Sequence, residues 1–242
     1  MSAGPALPPR EIVPDFEAFG VTAFTTTRDA GDFGLSGDAA VGDVLARWTA
    51  LREAVGVPRL ASAHQVHGTR VLRHGDGWSG WLRDAGADGH VTTTVQTALA
   101  VSVADCVPVF VAHRRGGIAL LHAGWRGTEG QMLRAGVAEL LAALAERGWP
   151  SSAGELRVHL GPAICGRCYH VSPDVFSRLT GRTVAQPTPV DLRAILADQA
   201  RALGVREISA SSLCTRCDHA RLFSHRAGDR ERQVGVACVL PR

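Results

Sequence analysis

The chain has 242 residues, 45% hydrophobic and 20% charged, with a formal net charge of +3. That length buries a large core in one large domain or two small ones. All 26 basic side chains are arginine, spread along the chain with Asp and Glu between them, so no clustered basic face argues for nucleic acid. No run approaches the roughly 20 consecutive apolar residues that span a bilayer, and Met1 to Pro9 lacks the pattern of a secretory signal. A cytoplasmic protein with reduced cysteines is the expectation.

In chain order, the β-branched run at 21–27 predicts a strand, and the Gly- and Asp-rich segment 28–38 a loop. Val44, Leu45, Trp48, Leu51 and Val55 recur near a 3.6 period, which predicts a helix over 43–55. Residues 60–73 read as two short strands broken at Gly68, and 74–89 as a loop. Strands are then expected at 90–94, 98–103, 107–113 and 117–121. The clearest helix is predicted over 128–147, with Leu133, Val137, Leu140, Leu141 and Leu144 on one face and Gly148 after its end. A strand at 156–160, a helix at 192–203 and strands at 207–210 and 233–239 follow. Strands come in runs rather than alternating with helices, so the class is α+β. No repeat or linker divides the chain, which reads as one domain over 1–242 with a flexible lead-in at 1–15.

Three segments place metal-capable side chains where a strand gives way to glycine or proline: Gln65-Val66-His67-Gly68, Asp105-Cys106-Val107-Pro108 and His122-Ala123-Gly124-Trp125-Arg126-Gly127. In an extended chain Gln65 and His67 share a face. Each residue alone has an ordinary reading: a histidine at a strand end is a hydrogen-bonding group, and a cysteine between strands is a small hydrophobe. Two imidazoles and one thiolate would nevertheless make a three-ligand site with one position open, the pattern of catalytic rather than structural zinc. Spacing alone leaves open whether the three meet.

The remaining cysteines include two CxxC pairs, Cys165/Cys168 and Cys214/Cys217. Two such pairs can form a four-cysteine zinc site, but the gap of roughly 45 residues exceeds a compact zinc ribbon, and reduced, partly buried thiols are the ordinary alternative. A thioredoxin-like role is disfavoured because neither pair opens a helix after a strand. Arg126, at the entry to the long predicted helix, could hold an anion with the help of free backbone N–H groups. Arg28, before the Gly-rich loop, is a second candidate; for both, a surface arginine is the competing reading.

The motifs HQVHGTRV, ADCVPVFV, LLHAGWRGT, LGPAICGRCYHV and LCTRCDHARLFSHR resemble those of the laccase-domain, or polyphenol oxidoreductase, family, from residue 24 to the C-terminus. The resemblance implies a mixed β-sheet sandwich flanked by helices, with its site in a surface cleft. It implies that His67, Cys106 and His122 hold the family's metal, here zinc, with copper as the other candidate. It also implies phosphorolysis of adenosine, inosine and methylthioadenosine, and deamination of adenosine, with purine nucleoside and phosphate as substrates. Two departures concern the pocket: His170 stands where the family usually has glutamate, and Asp29 to Gly34 replaces a Gly-Gly-Val-Ser type segment.

Under that reading the metal activates water for attack at C6 of adenine, with Asp105 and Gln65 as proton-transfer and positioning groups beside Cys106. In phosphorolysis, Arg126 or Arg28 holds the phosphate. Copper-dependent oxidation of phenols shares the His₂Cys donor set. The other histidines, however, form no HxH pair of the kind a multicopper cluster would use. A metal-independent hydrolase with Cys106 as nucleophile and His122 as base is a third possibility, and a metal-buffering or partner-binding protein a fourth.

Overall fold

The computed structural model describes residues 6–241. Its strands are β1 (Arg10–Ile12), β2 (Val21–Thr26), β3 (Arg59–Ala63), β4 (Val71–Arg73), β5 (Gly80–Asp84), β6 (Gly89–Thr92) and β7 (Thr97–Val103). They continue as β8 (Val107–His113), β9 (Ile118–Ala123), β10 (Leu156–Leu160), β11 (His170–Val171), β12 (Thr188–Pro189), β13 (Glu207–Ala210) and β14 (Gln233–Val239). The helices are α1 (Val41–Val55), α2 (Trp125–Glu129), α3 (Met132–Glu146), α4 (Pro173–Thr180) and α5 (Leu192–Ala202).

Two six-stranded mixed sheets stack face to face, in the orders β1-β2-β14-β7-β3-β5 and β13-β10-β8-β9-β6-β4. Alternation along each central strand builds three apolar layers. In β7, Ala98 and Ala100 join Trp48 and Leu51 of α1 on the outer face, whereas Leu99, Val101 and Val103 meet Phe110, Ile118 and Leu120 between the sheets. In β8 and β9, Val109, Val111, Ala119 and Leu121 pack outward on Leu133, Val137, Leu140 and Leu144 of α3. With both faces covered, these strands read as continuous apolar runs rather than alternating ones. The result is an α+β sandwich flanked by helices, as the resemblance implied.

Three connections, β3 to β4, β5 to β6 and β7 to β8, each carry the chain from the first sheet to the second. Because β7, β3 and β5 are adjacent and parallel, the three crossings leave from the same edge of the sandwich. That edge is where the site forms.

Several boundaries differ from the sequence reading. The expected lead-in falls partly on residues 1–5, outside the described residues, but Arg10–Ile12 pairs with β2, and Val13 is buried. The segment 74–89 is not all loop: β5 pairs in parallel with β3, and Trp81 stacks on Trp48 at 4.7 Å. The long helix begins at Met132, separated from α2 by Gln131 in a left-handed conformation (φ 65°). Helix α4, capped by Ser172 and with proline in its first turn, was not anticipated. No helix among the described residues is long and apolar enough to cross a membrane.

Candidate metal centre and its cleft

The ligand atoms of His67, Cys106 and His122 lie within 4.8 Å of one another, and the two imidazole rings meet edge to face with centroids 4.9 Å apart. His67 belongs to the β3–β4 crossing, Cys106 to the β7–β8 crossing, and His122 to the end of β9, where it faces Pro108 across the ladder. His67 has a φ of 60° and Asp105, just before Cys106, one of 87°. Such conformations are unfavourable for residues with side chains and persist where neighbours over-determine them.

The neighbour that does so at His67 is Asp88, on the third crossing. Its buried carboxylate accepts backbone N–H bonds from Val66 at 3.1 Å, His67 at 2.9 Å and Gly68 at 2.8 Å, fixing the turn. It also lies 2.8 Å from Nδ1 of His122. A proton on that Nδ1 leaves Nε2 as the free donor atom, the arrangement by which a carboxylate orients a metal-binding histidine. Sequence reasoning missed Asp88: its partners are distant in sequence, and Ala87-Asp88-Gly89 reads as a turn.

Electrostatics tie the group together. Burial opposes ionisation of Asp88, but His122 and the amides of Gly68 and Val66 hold its carboxyl below the usual range. Burial would likewise raise the Cys106 thiol, yet His122 and His67 bring it down to about 6. His122 is pushed up to about 9, against burial, by Cys106 and Asp88. The thiol is therefore readily ionised, as a ligand must be. Space is also reserved for it: a Cβ on Gly124 would stand 2.8 Å from Cys106 Sγ and 3.4 Å from a ring carbon of His67.

Two nitrogens and one sulfur, with an oriented imidazole and an ionisable thiol, fit zinc with an open coordination position; the same donors also suit copper. Among the described residues, only one other group of three or more His, Cys, Asp or Glu side chains could hold a metal, and it consists of four cysteines.

The triad opens on a cleft of about 780 Å³ lined by Gln65, Asp105, Arg126, Tyr169, Arg226 and Arg232, among others. Gln65 spends its amide on the backbone of Ser102, donating at 2.8 Å and accepting at 2.7 Å. Asp105 accepts from the hydroxyls of Thr215 and Ser224 and the amide of Arg226 at 2.6–2.7 Å. Both side chains are thus engaged in holding the backbone around the ligands. Arg126 is exposed at the cleft, its guanidinium 4.5 Å from the Trp125 ring, and it makes no ion pair among the described residues. It sits in the short α2, not at the start of the long helix as expected. Arg28 does not line the cleft: it donates to the carbonyls of His219 and Leu222 and pairs with Asp229 at 2.8 Å.

The protein is an α+β sandwich of two stacked mixed sheets in which two crossing connections and the end of β9 bring a His₂Cys triad together at a cleft. Residues 25–240 match the family described as multi-copper polyphenol oxidoreductase laccase, and the chain belongs to that family. It is 41% identical over 194 residues to a purine nucleoside phosphorylase of Mycobacterium tuberculosis, covering 76% of this chain and 74% of that protein. It is 31% identical over 238 residues to adenosine deaminase RL5 of an unknown prokaryotic organism, covering 86% and 88%. The crystal structure of the Bacillus licheniformis hypothetical protein YfiH shares the fold, with a TM-score of 0.83 over 96% of this chain and 97% of that one at 23% identity.

Proposed function

We propose that the chain is a zinc-dependent purine nucleoside enzyme that phosphorolyses adenosine, inosine and methylthioadenosine and deaminates adenosine. The observation that carries this reading is the His67–Cys106–His122 triad, braced by Asp88 and opening on an arginine-bearing cleft. The names of the two relatives above support the two reactions. A zinc ion held by the triad supplies a Lewis acid with an exchangeable position.

The chain's own residues divide the remaining work. Arg126, without a carboxylate partner among the described residues, offers a charged fork to phosphate. In phosphorolysis a phosphate oxygen bonds to C1′, the bond from C1′ to the purine nitrogen breaks, and its electron pair leaves with the base. Holding the phosphate in line with that bond is a positioning task. Asp105 and Gln65 hold the strands on either side of Cys106 through Thr215, Ser224 and Ser102, and so act as positioning residues. Arg28 braces the 219–229 segment behind the site.

One observation favours a rival. Asp88, His122 and Cys106 line up as carboxylate, imidazole and thiol, which is also the order of a cysteine nucleophile with its base. Incubation with adenosine and phosphate, with and without chelator, separates the two by chromatography of adenine, inosine and hypoxanthine. Zinc-dependent turnover is expected to stop with chelator and return with zinc. Cys106→Ala and His122→Ala should each lose both bound metal and turnover. Activation by chelator would establish the hydrolase instead, and a variant that keeps metal and turnover would sink the zinc mechanism. Metal analysis that finds copper, with an intense visible absorption band, would favour phenol oxidation.

A further inference from the structure

Four of the five cysteines left unused by the cleft come together in space. Cys165 and Cys168 lie on the loop after β10, Cys214 and Cys217 on the loop after β13, and their sulfurs all fall within 4.8 Å of one another. The two strands run side by side in parallel, so their following loops leave together, and an isolated bridge between Ala163 and Cys214 keeps them in register. The gap that looked too long for a zinc ribbon is the length of chain needed to build α4 and α5 and return to the same edge.

Each CxxC is wound as a tight turn. Cys168 and Tyr169 both donate to the carbonyl of Cys165, at 3.0 and 3.1 Å. Asp218 closes the second turn: its amide donates to the Cys214 carbonyl at 2.8 Å, and its carboxylate accepts from the Cys214 amide at 2.8 Å. The amides of Cys165 and Cys217 point at the sulfur of Cys214, at 3.3 and 3.4 Å. Cys168 and Cys217 approach to 3.5 Å between sulfurs, too far for a bond of about 2.05 Å. Four sulfurs about 2.3 Å from a tetrahedral zinc stand about 3.8 Å apart, within the range found here.

We infer that Cys165, Cys168, Cys214 and Cys217 form a second metal site, a closed tetrathiolate that binds zinc structurally. Four protein ligands leave no open position, so this site does no chemistry. It staples two loops that both reach the cleft. Tyr169, which follows Cys168, lines the cleft wall, and Thr215, inside the second CxxC, donates to Asp105 at 2.6 Å. Arg167 and Arg216, exposed on the two turns, place positive charge beside a centre that carries excess negative charge when loaded.

The test is a metal count by native mass spectrometry on the full chain purified under reducing conditions. Two zinc ions per chain are expected for the unaltered protein. One should remain in Cys106→Ala, and one in Cys168→Ser/Cys217→Ser. After exchange into cobalt(II), the strong thiolate-to-cobalt absorption of a tetrahedral tetrathiolate should persist in Cys106→Ala and vanish in the double variant. Should the double variant fail to fold, the cobalt spectrum of Cys106→Ala still decides the matter. A single zinc in the reduced, unaltered protein that is retained in Cys168→Ser/Cys217→Ser would overturn the inference, as would a Cys106→Ala protein without metal or without that spectrum. A Cys168–Cys217 disulfide under the same conditions would also overturn it. None of these outcomes depends on whether the chain turns over nucleosides.

Discussion

At the scale of single residues, Asp88 matters more to the triad than its place in the sequence suggests. One carboxylate meets four donors, three from the turn carrying His67 and one from His122. Asp88→Asn replaces an acceptor with a donor that must face at least one of them. It also removes the charge that orients His122. Loss of such a partner typically weakens metal binding by about 10- to 100-fold. Competition with a chromophoric chelator should show a drop of that size in Asp88→Asn, and an unchanged affinity would mean that the carboxylate is merely structural. The three triad side chains stood out beforehand because each ends or interrupts an apolar run, but only folding brings them together. Asp88 did not stand out, since its role exists only once residues 66–68 and 122 are brought to it. Arg28 shows how folding can occupy a side chain that stands out in the sequence. Beside a Gly-rich loop it looked like an anion ligand, but folding surrounds its guanidinium with backbone carbonyls, Asp229 and the ring of Phe223.

At the scale of elements, the buried strands and long helices were legible because periodicity records burial, whereas β5 and α4 were not. β5 is an edge strand with Arg83 and Asp84 in a run of five residues, so it carries little apolar signal. The packing of α3 on β9 shows what sequence pattern omits, the closeness of approach. A Cβ on Gly136 would lie 2.5 Å from Leu121, whose side chain fills the place a larger residue would take. Gly136→Val should therefore destabilise the fold by about 2 kcal/mol, the usual scale of overpacking. Gly42, in α1, has open space around its Cβ position, and alanine there should stabilise by roughly 0.5 kcal/mol through lost chain freedom. Urea titration of the two variants should move the midpoint in opposite directions.

At the scale of the whole molecule, buried histidines couple the fold to acid. Burial lowers His74 and His159 from 6.5 to about 4, and burial together with neighbouring His74 lowers His90 to about 3. A histidine whose folded pKa is depressed takes up its proton more readily when unfolded. Its contribution is complete above pH 6.5 and is lost as pH falls toward 4. At about 1.4 kcal/mol per unit, His159 alone accounts for roughly 3 kcal/mol. The urea midpoint should fall steeply across that window, and His159→Gln, which can keep a bond to Ser209, should flatten the fall. A midpoint independent of pH there would contradict the assignment. The position of β14 between β2 and β7 has another consequence. All three triad residues leave the ribosome by residue 122, but the sheet that carries two of their connections stays split until residue 239 emerges. At typical rates of synthesis that interval is of the order of ten seconds. Throughout it, β2 and β7 present open edges to the cell, and the nascent chain carries its thiols unsheltered. The donor atoms of the triad are thus all made well before the sheet that positions two of them can close.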